Sequence, residues 1–97
     1  MLETLTKEFW AKYQEENFKV DTGSADYLTM RLVTVSGFGR RIGSQREAFS
    51  LLFCGPLQPV LPQSIYRVSH PSINEQDIFL VPIGPQAEGM GYEAVFT

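Results

Sequence analysis

The sequence predicts a mainly β fold: a small antiparallel barrel or two-sheet sandwich of about six strands with one N-terminal helix. Three observations lead there. Apolar residues recur every fourth position only near the start, and from Phe18 onward they alternate with polar ones. Clusters of Gly, Pro, Asn, Asp and Ser then cut the chain into short runs rich in Val, Ile, Leu, Phe and Tyr. No segment between the later runs can form the crossover helix that parallel pairing requires.

The helix is expected over residues 4–16. Thr4 or Thr6 can cap it, Glu8 falls in its first turn, and Leu5, Phe9 and Tyr13 share one face, with Trp10 beside them. About ten residues of isolated helix are marginal in water, so that face must pack on something. The favoured reading has it closing one end of the barrel; an exposed aromatic patch is the alternative.

Strands follow over residues 18–96. Phe18 and Val20 alternate with Lys19 and Asp21 before a turn at Thr22-Gly23-Ser24-Ala25-Asp26. Tyr27 to Val35 is the second strand, with Leu28, Met30 and Leu32 on one side and Thr29, Arg31 and Val33 on the other. Ser36 to Ser44, carrying Gly37, Gly39 and Gly43, reads as an exposed loop with a basic tip. Ala48 to Cys54 is the third strand, presenting Phe49, Leu51 and Phe53 to one face. Pro56, Pro59 and Pro62 mark an extended connection that is not a central strand. Ile65 to His70 is the fourth, with Tyr66 and Val68 facing one way. Asp77 to Ile83 is the fifth; its run Ile78-Phe79-Leu80-Val81 predicts burial on both faces, and Pro82 predicts an edge or a bulge. Tyr92 to Phe96 is the last.

A chain of 97 residues is one domain, here 1–97, with a modest core. Its 43% hydrophobic content and twelve aromatic residues (seven Phe, four Tyr, one Trp) argue against disorder. No apolar run reaches the length of a membrane-spanning helix, and the first residues lack the features of a secretory leader. The expectation is a soluble, cytoplasmic product without membrane insertion, or one joined to an exported assembly by a route that needs no cleaved leader.

Net charge is −3, which disfavours nucleic acid as a partner. The charge is unevenly spread. Residues 1–30 carry three basic and six acidic side chains, 31–67 five Arg and one Glu, and 68–97 four acidic and none basic. If these thirds occupy different faces, the molecule is polarised toward an oriented partner or head-to-tail self-association. If the strands interleave, the charges mix.

Candidate chemistry is sparse. Cys54 and His70 are the only residues of their kinds, so an internal disulfide and a zinc site fail on inventory. A Cys54–His70 pair or a Ser50–His70–Asp77 triad can be written down, but no nucleophile elbow surrounds Ser50, and His70 before Pro71 reads more simply as a strand-end residue making a turn hydrogen bond. No catalytic residue, metal ligand or cofactor site is assigned, and the protein is expected not to be an enzyme. The run Gly37-Phe38-Gly39-Arg40-Arg41-Ile42-Gly43 has the glycines of a phosphate loop but not its lysine or its strand–helix setting. Phe38, Arg40 and Arg41 are instead candidate partner contacts, as anchors of the kind interfaces favour. Tyr92 and Phe96 join them if the last strand is an open edge available for β-augmentation; intramolecular closure of the barrel is the equal alternative.

The elements Phe49-Ser50-Leu51-Leu52-Phe53, Phe79-Leu80-Val81-Pro82-Ile83-Gly84-Pro85 and Tyr92-Glu93-Ala94-Val95-Phe96, with the opening Leu5-Thr6 and Phe9, resemble a family of short uncharacterised bacterial domains. The resemblance covers nearly the whole chain. It implies a setting beside phage-tail-collar-like proteins, hence a fibre or tail assembly context, and it carries over no functional residue. The resulting expectation is a non-catalytic protein-interaction or assembly-accessory domain, whose partner is another protein or a second copy. A small-molecule-binding barrel or minor enzyme, with a pocket lined by Phe and Tyr, is the runner-up.

Overall fold

Alternation of apolar and polar residues becomes, in a computed structural model of the chain that describes residues 6–23, 27–42 and 46–96, the inside and outside of a closed antiparallel barrel. A short helix α1 (Lys7–Ala11) precedes strands β1 (Asn17–Asp21), β2 (Tyr27–Ile42), β3 (Arg46–Gly55), β4 (Ser64–His70), β5 (Ile73–Gln86) and β6 (Gly89–Phe96). The strand order around the barrel is β1-β2-β3-β6-β5-β4. Two three-stranded meanders are thus joined at both seams, β3 with β6 and β1 with β4.

The helix is shorter than its periodicity suggests. Thr6 caps it, accepting from the Phe9 N–H at 3.2 Å. Turns follow, and Glu15 takes a φ of +75°, a left-handed conformation that ends the helical path. The Glu15 N–H donates to the Leu32 carbonyl at 2.6 Å and the Leu32 N–H returns to the Glu16 carbonyl at 3.0 Å, so the chain is pinned to β2 before β1 begins. Trp10 is the residue this segment buries, against Phe18 and Phe96, while Phe9 and Tyr13 pack partly buried around it.

The inward parity of β1 to β4 is the one read from the sequence. Phe18 and Val20, Met30 and Leu32, and Phe49, Leu51 and Phe53 are all buried. They meet Val68, Ile78, Leu80, Tyr92 and Ala94 in one cluster that takes up the interior, and no polar or charged residue is buried among the described residues. Burying aliphatic and aromatic side chains of this size stabilises by about 1.5–3 kcal/mol each, which is what holds so small a domain together.

Two expectations are corrected. The segment from Ser36 to Ile42 is strand: Ser36 pairs with Ser50, Gly37 with Phe49 and Ile42 with Arg46. Glycine disfavours strands on propensity, but pairing with β3 overrides it and a register shift between Gly37 and Arg41 absorbs the irregularity. The remainder of that expected loop, residues 43–45, lies outside the described residues. Nor is β5 buried on both faces. Ile78 and Leu80 point inward but Phe79 is half exposed, because an antiparallel barrel this small covers only one face of each strand. The expected bulge at Pro82 is present, as a register shift between Pro82 and Gly84 against β6.

The proline-rich connection from β3 to β4 turns Leu61 into the core, where its N–H donates to the Tyr92 Oη at 2.9 Å. Among the described residues no helix is long and apolar enough to cross a membrane.

Candidate functional site

With the interior occupied by side chains, the surfaces left to meet another molecule are on the outside of the barrel. The most distinctive is apolar. On β4 the outward parity carries Ile65, Arg67 and Ser69; on β5 it carries Glu75, Asp77 and Phe79. Ile65 and Phe79 are directly opposed across the strands and are 64% and 50% exposed. Val81 opposes Glu93 in the last pair of the β5–β6 register, and Val95, two residues beyond Glu93 with the same parity, is 54% exposed. Three large apolar side chains therefore stand on the outer face of β4, β5 and β6, each giving water contact to surface it would favourably lose.

Charged groups border these side chains. The Arg67 guanidinium lies 3.4 Å from Asp77 and 3.7 Å from Glu75. Glu93 stands on the other side, at the β5–β6 pairing. One guanidinium is thus set against three carboxylates. Arg67 and its two partners are all more than half exposed, so these ion pairs add little to stability.

A second feature is of mixed character: an open depression of about 500 Å³, its wall more apolar than polar, bordered by Asn17, Phe18, Lys19, Thr29, Ser69, His70 and Pro71. Lys19 sits in one cross-strand row with Thr29 of β2 and Ser69 of β4, and its ammonium lies 5.8 Å from the centre of the Tyr27 ring.

His70, at the edge of that depression, is held on every side. Its side chain is 9% exposed and lies between the rings of Tyr13 and Phe18, with centroids at 5.1 and 5.0 Å. Nδ1 accepts from the Ser72 N–H at 3.0 Å and Nε2 meets Glu16 Oε1 at 2.7 Å. The strand-end role read from the sequence is the one the geometry gives it. The written triad does not assemble: His70 is bonded to Glu16 and Ser72, Asp77 to Arg67, and Ser50 lies on β3, which pairs with β2 and β6. Cys54 is buried, and that burial pushes its thiol pKa up; Glu88 raises it further and Arg31 opposes. Among the described residues no group of three His, Cys, Asp or Glu side chains is placed to hold a metal ion.

The residues proposed from sequence as partner contacts are dispersed. Phe38, Arg40 and Arg41 belong to the distal part of β2, and their side chains lie outside the described residues. Tyr92 is 1% exposed and serves the core. Phe96 is partly buried, stacked on Phe49 at 4.7 Å with the rings 3° from parallel. The barrel closes intramolecularly, the alternative to an open edge: β6 pairs with β3 from Met90 to Phe96 and with β5 from Gly89 to Glu93.

Ile65 and Phe79 escaped the sequence reading for a simple reason. Four consecutive apolar residues, Ile78 to Val81, conceal their own alternation. A signal was present on β4, where Ile65 shares its parity with Arg67 and not with the buried Val68.

No curated protein and no solved structure matches the chain. A family model matches residues 5–96, nearly the full length. The chain belongs to that family, the domain of unknown function DUF6916.

Proposed function

We propose that this domain is a non-catalytic protein-binding module that docks a partner against the outer face of β4 and β5. The observation that carries this reading is the exposed cross-strand pair Ile65 and Phe79, with Val95 exposed on the outer face of β6. Side chains of this kind, desolvated together at the centre of a contact, supply most of the energy of typical interfaces. Support over a ligand-binding barrel comes from the inward Phe18, Phe49, Phe53 and Tyr92, which pack in one cluster where such a ligand would sit. The sequence resemblance suggests the setting: a fibre-like or tail-collar-like protein, served as an assembly accessory.

The test is co-purification of the tagged chain from its source cells, with bound proteins identified by mass spectrometry, beside the Ile65→Ser/Phe79→Ser double variant. One partner in near-stoichiometric amount with the wild type, lost from a variant that melts normally, is the expected result. Recovery of the same partner by both proteins would remove the β4–β5 face from the reading, and recovery of none would sink the interaction reading itself.

A further inference from the structure

We infer that the partner segment is apolar and basic: a stretch of another protein whose apolar side chains cover Ile65, Phe79 and Val95 while flanking Lys or Arg residues meet Glu75, Asp77 and Glu93. This rests on the proposed docking face and names the chemistry that fits it. These apolar side chains are bordered by three carboxylates and a single guanidinium, a local net charge of −2. Because Arg67 is already engaged by Asp77 and Glu75, the field over the face is set by carboxylates.

The same charges decide between a foreign partner and a second copy. A two-fold dimer through this face would bring its acidic border against itself, and like charges opposed across an interface cost affinity. A basic partner gains instead, in encounter rate and in register.

The experiment uses the full chain, labelled with nitrogen-15. Two short synthetic peptides are titrated against it, one alternating leucine and lysine, the other leucine and glutamate. The lysine peptide is expected to shift the amides of Ile65, Arg67, Asp77, Phe79, Glu93 and Val95, and its affinity should fall about tenfold in the Glu75→Lys/Asp77→Lys/Glu93→Lys variant and with added salt. The glutamate peptide should leave those amides unmoved. Equal binding of both peptides, shifts centred elsewhere, or concentration-dependent self-association of the wild type through this face would overturn the inference. The failures are separable with the natural partner from co-purification. Loss in the Ile65→Ser/Phe79→Ser variant with full retention in the charge-reversed variant leaves the docking face standing and removes its basic partner. Retention in both removes the docking face as well.

Discussion

His70 and Glu16 face each other at 2.7 Å, Nε2 to Oε1, where the N-terminal segment meets the end of β4. Because Nδ1 accepts from the Ser72 N–H, the neutral ring must carry its proton on Nε2 and donate it to the carboxylate. One imidazole thus ties the approach to β1, the end of β4 and the turn after it. Nitrogen-15 spectra of the neutral ring should show Nε2 protonated and Nδ1 bare; the opposite tautomer would contradict the geometry. His70→Ala should cost about 1–3 kcal/mol in urea unfolding, since it removes the ring packed between Tyr13 and Phe18 together with its bonds to Glu16 and Ser72.

The two tyrosine hydroxyls should not be equivalent. Tyr92 Oη is the acceptor for the N–H of buried Leu61, so Tyr92→Phe strands a donor in the core and is expected to cost about 1–3 kcal/mol. Tyr66 Oη donates to the Pro62 carbonyl at 2.6 Å in a bond that reaches solvent, and Tyr66→Phe should cost less than about 1 kcal/mol. Chemical denaturation of both variants checks the order, and a larger loss at Tyr66 would show that the burial of Tyr92 is misjudged.

Gly89 and Gly84 both have positive φ, at +140° and +101°. A Cβ at Gly84 would meet nothing nearby, whereas one at Gly89 would overlap the Gly55 carbonyl oxygen of β3. Gly84→Ala should therefore cost only backbone strain, of order 1 kcal/mol, while Gly89→Ala adds a displaced strand and costs several. Thermal melts of the pair test this, and equal losses would mean that the close approach of β6 to β3 is not tight.

Alkaline pH should destabilise the fold through Cys54 and Tyr66. Burial is the main cause that raises both pKa values, from 9.0 for the thiol and 10.0 for the phenol. Both groups are neutral when protonated, so the folded state holds these protons more tightly than the unfolded chain. Their contribution is complete below those ordinary values and is lost as pH rises through the raised ones. The urea midpoint should hold steady from neutral pH to the thiol's ordinary value and then fall, and Cys54→Ala should soften the first part of that fall. A flat alkaline limb in the wild type would count against the burial of both groups.

Inside and outside phenylalanines should separate by stability. Phe49→Ala, which empties a fully buried site, is expected to cost about 3–5 kcal/mol. Phe79→Ser, on the outer face, should stay within about 1 kcal/mol. If the second change unfolds the domain, Phe79 is a structural residue and not a contact surface.

Much of this architecture is legible without coordinates. The parity of β1 to β4 follows from Phe18/Val20, Met30/Leu32, Phe49/Leu51/Phe53 and Tyr66/Val68, because a strand has period two and burial of one face selects one parity. The helix cap, the Pro82 bulge and the strand-end role of His70 are local events set by a few neighbouring residues. Where glycine and a basic run interrupted the pattern, from Ser36 to Ile42, local propensity pointed to a loop and cross-strand pairing made a strand.

By itself, then, the sequence determined the class and the inward residues of β1 to β4, since these depend on composition and short-range spacing. Only the tertiary structure decided how the sheet closes and which surface remains. Pairing β6 with β3 is a long-range event that closed the barrel and took Tyr92 into the core. The register of the β4–β5 hairpin placed Ile65 opposite Phe79 on the outer face. Phe79 does not declare its exposure in sequence, because a barrel wall has one buried side, and which side a residue in an unbroken apolar run takes is settled by strand pairing and not by its own character.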